Sequence, residues 1–159
     1  MSWFATQDAS PDAQLANLIV LDLYAGSGAI GLEAASRGAS GVIAVEADRT
    51  TAALIRRNAA DLGLRVDVRQ QKVATALAGP PTAADLVFAD PPYPVGNDAI
   101  EADLRALRAG WLSPDALVVV ERSARTDAFA WPPEFTDTWQ RRYGETTLHF
   151  GTTAKEDES

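Results

Sequence analysis

The chain has 159 residues, a formal net charge of −8 and no cysteine. The length suits one domain, and the balance of 47% hydrophobic and 23% charged residues excludes a disordered chain. Without cysteine there is no disulfide, thiolate zinc site or thiol nucleophile. No apolar run approaches the roughly 20 residues of a membrane span and no signal segment is recognisable, so we expect a soluble, cytoplasmic domain. We also expect the chain to be monomeric. The acidic balance also argues against a broad nucleic-acid-binding face, so nucleic acid would need local basic patches.

Apolar stretches and helical patterns alternate after the first 17 residues, which are mixed and polar and predict a loose lead-in. The apolar stretches predict strands at 18–23, 41–45, 66–69, 85–89 and 117–120. The helical patterns predict helices at 29–37, between the capping residue Asp48 and Gly63, at 74–77 and at 97–109.

The final third of the chain has a different pattern. Residues 136–143 and 146–150, joined by a turn at Gly144, predict an antiparallel hairpin, and 152–159 form an acidic tail. We therefore predict one α/β domain at 18–151, Rossmann-like, with a seven-stranded, mostly parallel sheet that ends in a C-terminal antiparallel hairpin.

A glycine-rich loop follows the first predicted strand. Gly26, Gly28 and Gly31 have dinucleotide-loop spacing, and Glu46 lies 20 residues after Gly26, where a carboxylate would bind ribose hydroxyls. Similar glycines also occur where a strand simply turns tightly into a helix. Asp22 is the more informative residue, because a carboxylate beside the loop repels a diphosphate and favours a ligand with an ammonium and a sulfonium group. The loop therefore favours S-adenosylmethionine over NAD.

A second motif, Asp90-Pro91-Pro92-Tyr93, follows the fourth predicted strand. In such folds it would stand at the carboxyl edge of the sheet, beside the glycine loop. The prolines restrict the backbone, so that Asp90 and the Pro91 carbonyl can both accept hydrogens from one amine. This would localise the lone pair of an exocyclic base amine, and Tyr93 offers a face on which an extruded base can stack. The alternative is a proline-rich turn with Tyr93 in the core.

Together, the segments at 20–31, 45–48 and 90–93 resemble class I S-adenosylmethionine-dependent amino methyltransferases. More narrowly, the chain is similar to the bacterial RsmD family, which methylates a guanine N2 in small-subunit (16S) ribosomal RNA. This narrower likeness rests on Leu-Asp-Leu-Tyr-Ala-Gly-Ser-Gly-Ala-Ile-Gly-Leu-Glu-Ala at 21–34, Ser-Arg-Gly at 36–38 and Tyr-Gly-Glu-Thr at 143–146.

The resemblance covers about 18–151 and implies two groups of site residues. The implied cofactor-binding residues are Asp22, Tyr24, Gly26, Ser27, Gly28, Glu46, Ala47 and Val73. The implied catalytic residues are Asp90, Pro91, Pro92 and Tyr93. By this likeness Glu46 holds the ribose, the glycine loop passes under the methionine part, and the Asp90 motif holds the acceptor.

Two departures from the family are visible. Where the family has an acidic residue for the adenine amine, the chain has Gln71-Lys72-Val73, so adenine recognition would rest on Gln71 or on backbone groups near Val73. Family members also begin with a basic extension, whereas 17 mostly polar residues precede the first strand here. We therefore expect weak RNA binding by the chain alone, and an assembled small-subunit particle as the partner.

Some alternatives remain open. The acceptor could be adenine N6 or cytosine N4 of DNA, or a protein amide, and the chain could be a non-catalytic cofactor-binding module. Arg122 and Arg125 could contact phosphates or pair with Glu121 or Asp127, and the helix from Asn97 could form a lid. The expected chemistry needs no metal ion and no membrane.

Overall fold

The computed structural model describes residues 15–153, in which strands and helices alternate. The strands are β1 (Ile19–Leu23), β2 (Gly41–Val45), β3 (Asp67–Arg69), β4 (Ala84–Ala89), β5 (Leu112–Ser123), β6 (Asp137–Tyr143) and β7 (Thr146–Thr152). The helices are α1 (Ala29–Ser36), α2 (Arg49–Leu62), α3 (Val73–Ala78) and α4 (Asn97–Leu107). Most of the predicted lead-in and of the acidic tail lies outside the described residues.

In this part of the chain the strands form one seven-stranded sheet in the order β3-β2-β1-β4-β5-β7-β6. The first five strands along the chain pair in parallel, and β7 pairs antiparallel with both β5 and β6. The predicted α/β fold, with its mostly parallel sheet and C-terminal hairpin, is confirmed.

Successive side chains of the central strands point into two apolar clusters, one on each face of the sheet. On β1, Val20 packs in the cluster that includes Ala34 of α1, whereas Leu21 packs in the cluster that includes Leu104 of α4. Both side chains are completely buried. This two-sided burial explains why the β1 sequence is apolar throughout except for Asp22.

Helix α2 begins and ends where the sequence predicts. The Asp48 carboxylate accepts a hydrogen bond from the Thr51 backbone N–H at 2.8 Å, and Gly63 ends the helix with a φ of 67°. Leu54 and Leu62 have helical spacing but lie on the solvent side, 44% and 64% exposed.

Strand β5 begins earlier than the predicted residue 117. Leu112 already pairs with Ala84, and the register then shifts before Leu86 pairs with Leu117. The strand passes through Pro114, which cannot donate a ladder hydrogen bond, so the local sequence resembles a loop at this point.

The order of strands reverses between β1 and β4, since β2 and β3 extend the sheet to one side and β5 extends it to the other. At such a reversal the loops after the two central strands separate and leave a crevice at the carboxyl edge. The Asp90 backbone N–H donates to the Leu23 carbonyl at 3.4 Å across this point. None of the described helices has the length and apolar character required to cross a membrane.

Candidate active site

A cleft of about 890 Å³ opens at the reversal between β1 and β4. The predicted cofactor residues on its wall are Asp22, Tyr24, Gly26, Ser27, Glu46, Ala47 and Val73. Helix α4 contributes Ala99, Ala102 and Asp103 to the lining of the same cleft. The cleft is within the size range of pockets that enclose small ligands.

Gly28 is the predicted cofactor residue that does not line this cleft. Its φ of 79° lies in the left-handed region, and a Cβ atom there would lie 2.8 Å from Cγ2 of Ile55. Gly28 therefore lets the loop lie directly against α2, and its contact with the cofactor stays a prediction.

The carboxylate of Glu46 is held by two backbone donors. Its Oε1 accepts a hydrogen bond from the Gly26 N–H at 2.9 Å, and its Oε2 accepts one from the Asp48 N–H at 2.8 Å. A carboxylate can accept about four hydrogen bonds, so both oxygens retain acceptor capacity. The arrangement holds an oriented acceptor at the cleft wall, as binding of ribose hydroxyls requires.

Asp22 is a buried carboxylate beneath the loop, with 2% of its surface exposed. Its Oδ2 accepts a hydrogen bond from the Gly31 N–H at 3.1 Å. Burial raises the pKa of Asp22 to about 8; the hydrogen bond from Gly31 opposes the rise, while the charges of Asp90 and Glu46 add to it. A cation in the cleft would stabilise the ionised form, which suits the predicted ammonium and sulfonium ligand.

Tyr24 joins the loop after β1 to helix α4. Its hydroxyl donates to Oδ2 of Asp103, and its backbone has a φ of 57°. Burial and the hydrogen bond to Asp103 raise the pKa of the Tyr24 hydroxyl, and burial raises the pKa of Asp103. Asp103 lines the cleft without having been predicted, because on its own helix it is one acidic residue among several. Helix α4 is thus a wall of the cleft, and its movement as a lid stays a prediction.

The Asp90-Pro91-Pro92-Tyr93 motif separates the cofactor cleft from a second cavity of about 760 Å³. Asp90, Pro92 and Val95 line both cavities. Tyr93 projects outward with 95% of its surface exposed, so it is not a core residue and its ring is free to stack. We refer to the second space as the acceptor cavity.

Arg122 supports the loop that follows this motif. The side chain is buried, with Nη1 donating to the Val95 carbonyl at 3.1 Å and Nη2 donating to Oδ1 of Asn97 at 3.2 Å. Both predicted roles, a phosphate contact and a solvated ion pair, are therefore wrong for Arg122. Arg125 is exposed and pairs with Glu145 at 3.3 Å.

Lys72 and Val73 line the cofactor cleft, whereas Gln71 is not among the described residues that do so. Backbone groups near Val73 are thus on the cleft wall, and adenine recognition by them or by Gln71 stays a prediction. Within residues 15–153, no three His, Asp or Glu side chains are placed together as metal ligands would be.

The model of the family described as conserved hypothetical protein 95 matches residues 3–152. The chain belongs to this family. A curated relative, ribosomal RNA small subunit methyltransferase D of Escherichia coli (strain K12), is 39% identical over 103 residues, which are 64% of this chain and 51% of that protein. The chain spans about half the length of the curated relatives it matches.

Solved structures agree with this assignment. An Escherichia coli protein assigned as a methyltransferase superposes with a TM-score of 0.79 at 25% identity, covering 96% of this chain and 89% of that one. A Haemophilus influenzae protein assigned as a methylase superposes with a TM-score of 0.77 at 29% identity, covering 91% of each chain. The predicted Rossmann-like methyltransferase fold and the resemblance to the RsmD family are confirmed.

In this family member Glu121 is a further candidate site residue that was not predicted. It follows buried Val120 near the end of β5 and lines the acceptor cavity together with Asp90. Burial, a hydrogen bond with Asp90 and the charge of Asp90 raise the pKa of Glu121 to about 7. A signal was present in the sequence, because a carboxylate directly after a buried apolar stretch lies at the ligand-binding edge.

Proposed function

We propose that this chain transfers the methyl group of S-adenosylmethionine to the exocyclic N2 amine of a guanine in small-subunit (16S) ribosomal RNA. The observation that carries the proposal is the junction at Asp90 and Pro92, where the cofactor cleft and the acceptor cavity share a wall. An amine held at Asp90 from one side would meet the methyl group from the other. The name of the curated relative supports the choice of ribosomal RNA.

The residues of the cleft suit S-adenosylmethionine. The oriented carboxylate of Glu46 would accept from the ribose hydroxyls, and the buried carboxylate of Asp22 favours a cation nearby. Apolar side chains such as Ile30, Val45 and Phe88 line the same cleft. When bound, the cofactor supplies an electrophilic methyl group.

The acceptor motif activates a weak nucleophile. An exocyclic amine is unreactive because its lone pair is delocalised into the ring. Asp90 accepts one amine hydrogen and the Pro91 carbonyl accepts the other, which draws the nitrogen toward tetrahedral geometry and localises the lone pair. Tyr93 stacks on the base, and the proton passes to solvent after transfer. Most of the rate gain comes from orientation and proximity, so no metal ion is needed.

The physiological substrate in this proposal is an assembled small-subunit particle, and the chain acts as a cytoplasmic monomer. The formal net charge is −8, and the guanidinium of Arg122 is already bound to its own loop. The chain would therefore be held on its substrate largely by contacts with the ribosomal proteins of the particle, and less by its own contacts with RNA phosphates.

The test uses the chain with radiolabelled S-adenosylmethionine and hypomethylated small-subunit particles, followed by nucleoside analysis. We expect N2-methylguanosine in the RNA and less product from deproteinised RNA. Methylated adenosine or cytidine, or label in protein, would overturn the guanine assignment. Equal activity on deproteinised RNA would overturn the particle as substrate.

Two variants separate catalysis from binding. Asp90→Ala should lower the methylation rate by ~10²-fold or more, while the calorimetric affinity for S-adenosylmethionine persists. Asp98→Ala, a change of an exposed carboxylate at the start of α4, is the matched control. Retained turnover in Asp90→Ala would contradict the mechanism. Binding of NAD, or of neither cofactor, would contradict the cofactor assignment.

A further inference from the structure

Two carboxylates lie side by side at the acceptor cavity. Phe88 pairs with Val119 in the register of β4 and β5, and both side chains pack in the same apolar cluster. The last pair is Ala89 with Val120, so Asp90 and Glu121 follow as neighbours. Because alternate residues share a face, Asp90 and Glu121 project on the same side as Phe88 and Val119. Both line the acceptor cavity.

The charged groups around this carboxylate pair are largely committed elsewhere. Arg122 lines the same cavity but donates to the Val95 carbonyl and to Asn97. Of the other carboxylates on the described wall, Glu145 pairs with exposed Arg125, and Asp127 is exposed. The carboxylates of Asp90 and Glu121 are therefore the pair that faces the space where the base would enter.

When both carboxylates are ionised, this arrangement matches the Watson–Crick edge of only one common base. Guanine presents two adjacent donors there, the ring N1–H and the N2 amine. Adenine and cytosine each present an amine beside a ring nitrogen that is an acceptor, and a carboxylate would repel that acceptor.

We propose that Glu121 selects guanine by accepting its N1–H while Asp90 accepts the neighbouring N2 hydrogen. This inference rests on the proposed function and adds a specificity-determining residue to it. Near neutral pH the raised pKa of Glu121 leaves a proton on the carboxylate pair, and that proton must leave before guanine can bind. Guanine binding should therefore strengthen as the pH rises through about 7.

The test compares guanosine with 2-aminopurine riboside, which has the same amine but an acceptor at N1. Both are titrated into the full chain saturated with S-adenosylhomocysteine. We expect the wild-type chain to bind guanosine ~10-fold or more tightly than the analogue. Glu121→Gln should weaken the binding of guanosine by ~10- to ~100-fold. It should also narrow or reverse the preference for guanosine over the analogue, because an amide can donate to the N1 acceptor of the analogue.

The matched control is Glu134→Gln, the same change at an exposed residue outside both cavities. If the role of Glu121 were purely structural, Glu121→Gln would weaken the binding of both nucleosides equally. An unchanged preference for guanosine in this variant therefore overturns the proposal. If Glu121→Gln does not fold, the pH dependence of nucleoside binding by the wild-type chain provides the test. Guanosine affinity should fall relative to the analogue between about pH 8 and about pH 6, and a pH-independent preference overturns the proposal.

A third titration, with adenosine under the same conditions, distinguishes the two levels of inference. A wild-type chain that prefers adenosine to guanosine overturns the proposed guanine methylation, and the role of Glu121 with it. A wild-type chain that prefers guanosine, beside a Glu121→Gln variant with the same preference, overturns the role of Glu121 alone.

Discussion

The hydroxyl of Tyr24 donates a 2.5 Å hydrogen bond to Oδ2 of Asp103, which joins the loop after β1 to helix α4 at the cofactor cleft. The two residues are 79 positions apart in the chain. The bond holds together two walls that must enclose the same ligand, so it links the shape of the cleft to the packing of α4.

Tyr24→Phe removes this donor and keeps the ring. The partly buried Asp103 carboxylate then lacks its partner, so we expect a loss of about 1–3 kcal/mol in the free energy of unfolding and weaker binding of S-adenosylmethionine. Because the Tyr24 hydrogen bond lowers the pKa of Asp103, the variant should also protonate Asp103 at higher pH. Denaturant unfolding and calorimetry measure these effects. Asp103→Asn, which retains an acceptor, is the control, and a loss equal to that of Tyr24→Phe would contradict this account.

Asp22→Asn should change how stability depends on pH. The pKa of Asp22 is about 8 in the folded chain against 3.8 without the fold, so the folded state binds more protons between these values. Stability of the ligand-free wild type therefore falls as the pH rises from about 4 to about 8. Asparagine can still accept from Gly31 and carries no charge, so the variant should lose this decline and become more stable than wild type near pH 8. Unfolding curves at several pH values test this, and parallel profiles for the two proteins would refute it.

The same substitution should weaken cofactor binding. A cation in the cleft favours ionised Asp22, so binding of S-adenosylmethionine at neutral pH should release a proton from the wild-type chain. Calorimetry in buffers with different ionisation enthalpies counts that proton. Asp22→Asn should bind the cofactor at least ~10-fold more weakly and release fewer protons. An unchanged proton count would assign the release to another group.

Arg122→Lys should disturb the acceptor side more than the cofactor cleft. A lysine cannot reproduce the two separate guanidinium donors to Val95 and Asn97. We expect a loss of about 1–3 kcal/mol in unfolding free energy and a lower kcat/KM for the RNA substrate, with a smaller loss of cofactor affinity because Val95 lines both cavities. Arg125→Lys is the control, because its exposed ion pair with Glu145 should contribute less than about 1 kcal/mol. Equal effects of the two changes would show that Arg122 does not support the loop.

Gly28→Ala tests the contact between the glycine loop and α2. Its Cβ would lie 2.8 Å from Ile55, whereas a Cβ at Gly38, which has a φ of 93°, would meet nothing within 4 Å. Gly38→Ala therefore reports the cost of left-handed backbone alone, roughly 1–2 kcal/mol. Gly28→Ala should destabilise the chain by about 1–3 kcal/mol more than that. Chemical denaturation compares the two, and equal losses would mean that Ile55 moves aside freely.

Much of this molecule follows from local sequence. The apolar stretch around Asp22 predicts a central parallel strand because side chains buried on both faces must be apolar. Asp48 and Gly63 mark the ends of α2 through capping chemistry that involves only neighbouring residues. The predicted start of β5 was wrong. The strand already begins at Leu112, which pairs with Ala84, but the proline that follows makes this segment resemble a loop in the sequence.

The sequence by itself determined the family, the order of strands and helices and the two motifs at the carboxyl edge, because these depend on local patterns. The tertiary structure decided which side chains meet. Arg122 became an internal support rather than a phosphate ligand, Asp103 became the partner of Tyr24, and Glu121 came to lie beside Asp90. These pairings join residues far apart in the chain, and their burial and charge, which set the pKa values of the site, arise only when the strands pack.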